Sequence, residues 1–249
     1  MSSPSYLEAD HGTRIAYHRT AGRGPGVVFL GGFMSDMTGT KATALEAHCR
    51  ARGRAFLRFD YGGHGASSGA FADGTIGRWL ADALAAIDRL TDGPQVLIGS
   101  SMGGWIALLA ALQRPDRTHG LIGIAPAPDF TEHLMWARYD ETIRNQIMEQ
   151  GFHLEPSEYG DEPYTITRAL IEDGRKHLLL GAPIALDVPI RLIHGQRDAD
   201  VPWRLSLDIA ERVASEDVDV TLIKRGDHRL SDPADLARLT RTLETLAES

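Results

Sequence analysis

The chain has 249 residues, a length at which a single α/β domain can bury a full hydrophobic core. Its net charge of −8 argues against the basic surface that binding to nucleic acid or to anionic membranes requires. The longest uninterrupted apolar run, Trp105 to Leu112, is too short to cross a bilayer, and the first ten residues do not resemble a signal peptide. Together with the single cysteine, Cys49, these observations predict a cytoplasmic globular protein without disulfides, integral membrane segments or nucleic-acid partners.

The chain opens with a pattern typical of a β-hairpin, in which residues 6–9 and 13–18 flank an Asp-His-Gly turn. Short apolar runs rich in β-branched residues then alternate with longer helical patterns. The predicted strands cover residues 27–30, 55–60, 95–98, 121–124, 190–194 and 218–223, and the predicted helices cover 41–52, 76–90, 103–113, 204–215 and 233–247. This alternation predicts an α/β protein with a mostly parallel sheet, flanked by helices on both faces and preceded by an antiparallel hairpin.

One stretch of the sequence, residues 127–186, interrupts the alternation. The apolar residues that recur in it every four positions, as on an amphipathic helix, are Met135, Tyr139, Ile143 and Ile147. Residues 165–172 suggest a second helix. Because a structureless loop of this length is improbable in a compact domain, we predict a helical cap inserted over one end of the sheet. The predicted domains are an α/β core formed by residues 1–126 and 187–249 and a cap formed by residues 127–186.

The sequence Gly-Ser-Ser-Met-Gly at residues 99–103 directly follows a predicted buried strand and begins an apolar helix. This context is that of a nucleophile elbow, a tight turn that holds a serine hydroxyl above the sheet. Ser101 is therefore the candidate nucleophile, and the N–H of Met102 points toward the oxygen that becomes negative during acyl transfer. A second Gly-x-Ser-x-Gly, around Ser67, has neither a strand directly before it nor an apolar helix directly after it, so we interpret Ser67 as a loop residue.

A serine nucleophile requires a base, and the base requires an orienting carboxylate. In doubly wound hydrolase sheets, the acid and then the histidine follow the serine, each beyond the carboxyl end of a strand. Asp198 is the candidate acid, with Asp200 as the nearest alternative. His228 is the candidate base. His194 remains an alternative base, although its position at the end of a buried strand favours a structural role.

The loop after the predicted strand 27–30 reads Gly-Gly-Phe-Met, and glycines let the backbone approach a substrate oxygen closely. We expect the N–H of Phe33 to form an oxyanion hole together with that of Met102, although an ordinary Gly-Gly turn explains the same residues. The candidate walls of an acyl pocket are Met34, Trp105, Trp136 and Tyr139. No nucleotide-binding motif is completed and no metal-ligand spacing is present, so the sequence predicts neither a cofactor nor a metal.

Several of these segments together resemble the α/β-hydrolase superfamily over nearly the whole chain. They are the Gly-Gly-Phe loop at 31–33, Asp-Tyr-Gly-Gly-His-Gly at 60–65, the elbow at 99–104, the acid loop at 194–202 and Gly-Asp-His at 226–228. The segments that resemble, more narrowly, the α/β-hydrolase domain-containing protein 10 group are residues 32–37, 67–69 and 100–105. This resemblance implies an α/β-hydrolase fold and a serine esterase or thioesterase, because members of that group remove palmitoyl from protein cysteines and cleave acyl glucuronides.

Two features of the family do not transfer to this chain. Many superfamily members have His-Gly where this chain has Gly31-Gly32, so the role of that histidine in orienting the oxyanion loop is not carried over. The better-known eukaryotic member is mitochondrial, but no Arg-rich leader precedes the first predicted strand here. The expected location therefore remains cytoplasmic.

The sequence thus predicts a serine hydrolase that cleaves carboxylic esters or acyl thioesters through an acyl-enzyme intermediate. The expected partner is a small acyl ester or thioester, or an acylated protein. The serine at the elbow argues against haloalkane dehalogenase and epoxide hydrolase chemistry, which places aspartate there. Cofactor-free peroxidase-like chemistry and carbon–carbon bond hydrolysis use the same triad and stay open, as does a non-catalytic ligand-binding role on this fold.

Overall fold

A computed structural model describes residues 3–156 and 163–248 of the chain. The strands are, in chain order, β1 (Ser5–Glu8), β2 (Arg14–Thr20), β3 (Arg23–Leu30), β4 (Arg54–Phe59), β5 (Gln95–Ser100), β6 (Thr118–Ile124), β7 (Phe152–Glu155), β8 (Tyr164–Thr167), β9 (Ile190–Gly195) and β10 (Val218–Ile223). The α-helices are α1 (Thr40–Ala51), α2 (Ile76–Leu90), α3 (Met102–Gln113), α4 (Glu141–Gln150), α5 (Arg168–Gly174), α6 (Arg204–Arg212) and α7 (Pro233–Glu248).

The main sheet contains eight strands in the order β1-β2-β4-β3-β5-β6-β9-β10. β1 pairs with β2, and β2 with β4, in the antiparallel sense, whereas the remaining neighbours are parallel. The predicted hairpin and the predicted parallel sheet are therefore both present. Because the carboxyl ends of the parallel strands lie along one edge, the loops after β3, β5, β9 and β10 come together there.

The hydrophobic core lies in two layers, one on each face of the sheet. Side chains alternate along each strand, so Val28 and Leu30 of β3 pack in one layer while Val27 and Phe29 pack in the other. The first layer includes buried residues of α2, α3 and α6, and the second includes those of α1 and α7. A sheet covered on both faces has nearly continuous apolar strands, which is why the strands could be located from the sequence.

The segment between β6 and β9 differs from the prediction in its secondary structure. The predicted single helix through Met135 and Ile147 is interrupted at Tyr139, which is extended (φ −69°, ψ 138°). Asp140 then caps a new helix, α4, because its side chain accepts a hydrogen bond from the N–H of Ile143. Residues 131–135 form a π-helical turn and residues 136–138 a 3-10 turn.

The second predicted helix of this segment, residues 165–172, is partly a strand. β7 and β8 form a two-stranded antiparallel sheet, with Phe152 opposite Thr167, and α5 starts only at Arg168. Three consecutive β-branched residues, 165–167, favour the extended conformation, and the Thr167 hydroxyl then caps α5. The segment is therefore mixed in structure rather than purely helical.

Hydrogen bonds attach the inserted segment to the core. The indole of Trp105 donates to the oxygen of His177, and Asp173 accepts the N–H of Gly77 at the start of α2. Within the segment, the carboxylate of Asp129 accepts the backbone N–H groups of residues 179 and 180. Residues 157–162, which belong to the predicted cap, lie outside the described residues. The division of the chain into a core and a cap remains a prediction.

Candidate active site

Ser101 occupies the turn between β5 and α3 in a conformation that few non-glycine residues adopt (φ 55°, ψ −120°). Such a backbone costs roughly 1–3 kcal/mol and persists only where its surroundings hold it in place. Here the N–H of Ser101 donates to the oxygen of Ile124 at 2.9 Å, while its own oxygen accepts the N–H of Gly104 at 2.8 Å. The turn is thereby fixed to the neighbouring strand and to the helix that it begins.

The two glycines that flank the elbow are required by close backbone approaches. A Cβ at residue 99 would lie 2.2 Å from the oxygen of Gly103, and a Cβ at residue 103 would lie 2.1 Å from the oxygen of Leu30. Both contacts are with backbone atoms, which cannot move aside as a flexible side chain can. The glycine positions in the motif therefore reflect the tight packing of β3, β5 and α3.

The structure brings Ser101, His228 and Asp198 together in a hydrogen-bonded chain. The Nε2 atom of His228 lies 3.1 Å from the Oγ atom of Ser101, and its Nδ1 atom lies 2.7 Å from the Oδ2 atom of Asp198. Because a carboxylate only accepts, Nδ1 carries the proton and Nε2 is left to accept the serine hydroxyl proton. The side chain of Asp198 is fully buried, whereas that of His228 is 19% exposed.

Both oxygens of the Asp198 carboxylate are occupied by donors. Oδ1 accepts the N–H groups of Asp200 and Val201 at 2.9 and 2.8 Å, and Oδ2 faces His228 and, at 3.2 Å, the Nε2 atom of His194. Burial alone would raise the pKa of Asp198, but the hydrogen bonds from the two histidines outweigh it and hold that pKa well below its usual range. Asp198 is therefore ionised at neutral pH.

The two alternatives left open by the sequence take different positions. His194 is completely buried, and its Nδ1 atom lies 2.8 Å from the hydroxyl of Ser206. Its Nε2 atom also faces the oxygen of Val201 at 3.1 Å, and an oxygen only accepts, so Nε2 carries the imidazole proton. His194 therefore presents a donor to the carboxylate of Asp198. Asp200 lines the cavity described below, and its main-chain N–H, rather than its carboxylate, is bonded to Asp198.

Ser67, the serine of the second Gly-x-Ser-x-Gly, holds the loop after β4 against the hairpin. Its hydroxyl accepts the N–H of Ala16 at 2.8 Å and donates to the oxygen of Asp60 at 2.6 Å. Both hydrogen-bonding functions of the hydroxyl are thus used by backbone groups. This placement agrees with the interpretation of Ser67 as a loop residue.

The loop after β3 is held by two buried charged side chains at the end of β4. Asp60 accepts the N–H of Met37 at 2.6 Å, and Arg58 donates to the oxygen of the same residue at 2.8 Å. Arg58 is in turn paired with Glu46 of α1 at 2.8 Å. These contacts fix the position of Met37 and therefore of the loop. Gly32, in the same loop, lies so close to the elbow that a Cβ on it would be 3.5 Å from the Cβ of Ser101.

The N–H groups of Phe33 and Met102 are available for an oxyanion. Among the residues that the structure describes, neither N–H donates to a backbone or side-chain acceptor. Both residues line one cavity of about 500 Å³, together with Ser101 and His228. The remaining apolar side chains of its wall are Met34, Ala127, Phe130, Leu134, Met135, Tyr164 and Val201.

Of the four predicted pocket residues, only Met34 lines this cavity. Trp105 is fully buried in the core, where its ring lies 5.7 Å from that of Phe130. Trp136 lies outside the cavity wall, with the guanidinium of Arg175 stacked 4.7 Å from its ring centroid. Tyr139 is buried in the inserted segment and hydrogen-bonded to Glu155. An apolar side chain can be buried in the core or can line a pocket, and the sequence alone does not distinguish these two placements.

Several residues that line the cavity were not singled out from the sequence. The charged ones are Lys41, Arg138, Glu155 and Arg229. Met135 belongs to the apolar stripe that predicted the cap helix, so its periodicity was a usable signal. The charged residues carry no comparable signal, since a charge between predicted elements usually marks a solvated loop.

Known proteins match this chain over nearly its full length. The hydrolase family described as "Serine aminopeptidase, S33" matches residues 26–151. The palmitoyl-protein thioesterase ABHD10, mitochondrial, of Mus musculus is 42% identical over 248 residues, which cover 99% of this chain and 83% of that protein.

Two solved structures match equally broadly. The mouse α/β hydrolase domain-containing protein 10 has a TM-score of 0.92 and 40% identity, with 99% of each chain covered. A hydrolase from Agrobacterium vitis S4 has a TM-score of 0.93 and 39% identity, with 99% of this chain and 98% of that chain covered. The predicted fold class is thereby confirmed.

The chain belongs to the α/β-hydrolase superfamily and, within it, to the ABHD10 family. It is accordingly an enzyme of the hydrolase class. The predicted cytoplasmic location is wrong by the same comparison, because the curated ABHD10 relatives are named mitochondrial. The composition of a folded domain does not encode an organelle address, which is why that prediction failed. Separately, none of the helices within residues 3–156 and 163–248 is both long and apolar enough to span a membrane.

Proposed function

We propose that this protein is a serine hydrolase that cleaves acyl thioesters or carboxylic esters through an acyl-enzyme intermediate, with Ser101 as nucleophile, His228 as base and Asp198 as the orienting acid. The observation that carries the proposal is the hydrogen-bonded chain from Ser101 Oγ to His228 Nε2 and from His228 Nδ1 to Asp198 Oδ2. The names of the relatives, palmitoyl-protein thioesterases, support the thioester side of the proposal.

Acylation begins when the Oγ atom of Ser101 attacks the acyl carbon while His228 Nε2 accepts its proton. The negative charge that develops on the acyl oxygen is stabilised by the N–H groups of Phe33 and Met102, which have no other acceptor among the described residues. Asp198 stabilises the imidazolium, for which its low pKa keeps it ionised. His228 then returns the proton to the departing thiol or alcohol, and the carbon–sulfur or carbon–oxygen bond breaks.

Deacylation uses the same groups in reverse. A water takes the place of the leaving group, His228 accepts one of its protons, and the resulting hydroxide attacks the acyl-serine carbon. Collapse of the second tetrahedral intermediate releases the carboxylic acid and returns the proton to the oxygen of Ser101. No step in this sequence requires a group beyond the side chains and backbone N–H groups already described.

The cavity supports an acyl substrate with an apolar chain and a polar leaving group. Its apolar wall contains Phe33, Phe130 and Leu134, whereas two of its charged residues, Lys41 and Arg229, come from α1 and the His228 loop. A volume of about 500 Å³ falls within the range of about 300–1,000 Å³ typical of small-molecule sites. We therefore propose a lipid-like acyl group as the substrate's acyl part.

We further propose that residues 127–186 act as the cap of this site, as the sequence predicts. The cavity that contains Ser101 is also lined by residues of this segment, among them Leu134, Met135, Arg138, Glu155 and Tyr164. A segment that supplies one wall of the cavity selects the substrate without taking part in the chemistry. Substitutions on this wall should therefore change acyl-chain preference while the rate of serine labelling by a small phosphonate stays the same.

The proposal is tested by covalent labelling of the full chain with a fluorophosphonate, read by intact mass. The wild-type protein and a Ser67→Ala variant, matched because Ser67 has the same local motif, are expected to gain one adduct. The Ser101→Ala variant is expected to gain none. Undiminished labelling of Ser101→Ala would refute the assignment.

A substrate series then separates the chemical classes. We expect hydrolysis of p-nitrophenyl esters and of acyl thioesters, with an optimum in chain length set by the cavity, and an acyl glucuronide is run beside them. Turnover that survives a strong chelator excludes an essential metal. A folded protein that turns over no activated ester, although Ser101 is present, would favour a ligand-binding role instead.

A further inference from the structure

Lys41 lies in the wall of the cavity that contains Ser101, and the mechanism above gives it no role. It is the second residue of α1, and its Nζ atom donates a hydrogen bond to the main-chain oxygen of Arg229, 188 residues further along the chain. Arg229 directly follows His228. A single side chain thus connects the start of α1 to the backbone of the loop that carries the base.

The electrostatic surroundings of Lys41 are unfavourable for a cation. The N-terminus of a helix carries the positive end of its dipole, and α1 has no acidic residue in its first turn to offset it. Burial lowers the pKa of Lys41 to about 8, and Arg229 acts in the same direction, whereas the carboxylates of Asp227 and Asp235 oppose the shift. The hydrogen bond to the Arg229 oxygen is a favourable interaction for the ammonium group of Lys41 in these surroundings.

The backbone from which the Lys41 side chain extends is held rigidly. The loop that leads into α1 is held at Met37, where Asp60 binds the N–H and Arg58 binds the oxygen. Both of these charged side chains are buried, at 2% and 4% exposure for the whole residues, and such groups are tightly held when fully hydrogen-bonded. Lys41 therefore extends from a fixed backbone rather than from a mobile loop.

The loop that carries His228, at the other end of the Lys41 contact, has a strained backbone. Leu230, two residues after His228, has a φ of +46°, which a non-glycine residue adopts only when its surroundings enforce it. Its N–H is bonded to the side chain of Asp227 at 3.0 Å, a contact within the same loop. The Lys41 contact, in contrast, comes from outside the loop, as do the contact of the Arg197 N–H with the oxygen of Gly226 and that of Asp198 with His228.

We propose that Lys41 is a positioning residue for the base: through the oxygen of Arg229, it holds the His228 loop at the distance from Ser101 that proton transfer requires. This inference rests on the proposed function, since it assumes that His228 accepts the proton of Ser101. Without the ammonium, the loop relaxes and the 3.1 Å separation between Nε2 and Oγ is no longer enforced. A misplacement of the base lowers kcat rather than substrate affinity.

The test compares Lys41→Met, which keeps the stem of the side chain, with Lys41→Arg, which keeps a cationic donor. Lys176→Met is the matched control, because Lys176 is a surface lysine with 71% of its side chain exposed. Rates are measured with p-nitrophenyl butyrate, a neutral substrate, from pH 6 to pH 10. We expect Lys41→Met to lower kcat by about tenfold with KM within about twofold, and Lys41→Arg to recover most of the loss. Lys176→Met should match the wild type.

The pH profile distinguishes positioning from a merely structural contribution. An uncharged amine donates a weaker hydrogen bond, so wild-type kcat should fall as pH rises through about 8, the pKa that Lys41 has in this site. That decrease should be absent from Lys41→Met. Asp227, Asp235 and Arg229 are the charged groups facing Lys41, and they are unchanged in all three variants.

Two results would overturn the proposal: a Lys41→Met variant with wild-type kcat, or one in which only KM changes. Thermal melting verifies that each variant is folded, and Lys41→Gln replaces the methionine variant if that variant is not. Failure of this inference is separable from failure of the proposed function. If wild-type Ser101 is not labelled by fluorophosphonate, the proposed function is lost, whereas normal labelling with equal rates for wild type and Lys41→Met removes only the role of Lys41.

Discussion

Replacing Asp198 with asparagine tests whether the buried carboxylate sets the tautomer of the base. In the wild type, Oδ1 faces two backbone N–H groups and Oδ2 faces Nδ1 of His228 and Nε2 of His194. The amide oxygen of asparagine must take the place of Oδ1, because an NH₂ group there would face two donors. The NH₂ group then faces His228, whose Nδ1 atom must accept, so the imidazole proton moves to Nε2.

An imidazole protonated at Nε2 directs a donor at Ser101 and cannot accept its proton. Loss of the correct tautomer in a serine–histidine–aspartate site costs about 10⁴ in kcat, which corresponds to about 5 kcal/mol of activation free energy. We therefore expect Asp198→Asn to reduce kcat for a p-nitrophenyl ester by about 10⁴, with little change in KM. The rate of fluorophosphonate labelling, which depends on the same activated serine, should fall in parallel.

Asp200→Asn is the matched comparison for this prediction. A carboxylate oxygen of Asp200 lies within 4.8 Å of a nitrogen of the same imidazole, so the substitution removes a nearby negative charge without altering the tautomer. We expect a change of at most a few-fold, as for a partly exposed charge. If Asp198→Asn keeps more than a hundredth of wild-type kcat, or if Asp200→Asn has the larger effect, the tautomer argument is wrong.

Five further substitutions test the packing around the elbow, the wall of the cavity and the attachment of the inserted segment. Gly103→Ala places a Cβ 2.1 Å from a backbone oxygen of β3 and should lower the melting temperature sharply or prevent folding. Gly181→Ala, where nothing lies within 4 Å of the added Cβ, should leave the melting temperature unchanged. Trp105→Ala should destabilise the protein by about 3–5 kcal/mol in denaturant unfolding, while Met34→Ala, at a side chain 43% exposed, should alter KM rather than stability. Burial raises the pKa of Asp173, but contributions led by the hydrogen bonds from the N–H of Gly77 and the side chain of Thr75 outweigh it, and the pKa is lowered. This carboxylate therefore stabilises the fold above its unfolded pKa of about 4 and loses that contribution as pH falls through its folded value. The stability difference between wild type and Asp173→Asn should therefore shrink as the pH is lowered below about 4, and a difference that grows instead would contradict this sign.

The sequence located the main elements because each followed a rule of short range. The strands buried on both faces are continuous apolar runs, and the helix 233–248 begins with Asp232 and Pro233, a strong start signal. The order of Ser101, Asp198 and His228 along the chain was enough to predict that they lie close together. Parallel strands end along one edge of the sheet, so the loops after them meet there. The site followed from topology, with no knowledge of side-chain contacts.

The inserted segment was harder to predict, because its structure depends on packing. The stripe through Tyr139 has helical spacing, yet the chain is extended at that residue so that the phenol reaches Glu155. Trp105 and Met34 are both large apolar residues near the elbow, but one is fully buried and the other 43% exposed. Hydrophobicity predicts burial in general and does not separate a core from a cavity wall. Lys41 carries no sequence signal, because its role depends on a partner 188 residues away.

Strained backbone in this protein is concentrated where the strands end. The non-glycine residues with positive φ among those described are Met34, Ser101, Ala125, Asp129 and Leu230, and they lie in the loops after β3, β5, β6 and β10. At roughly 1–3 kcal/mol each, these conformations together cost an amount comparable to the net stability of a typical domain, about 5–15 kcal/mol. They persist because apolar layers on both faces of the sheet stabilise the fold independently of the loops. Since chance would scatter such residues over every loop, their gathering at one edge indicates that the geometry there is maintained for chemistry and at the expense of stability.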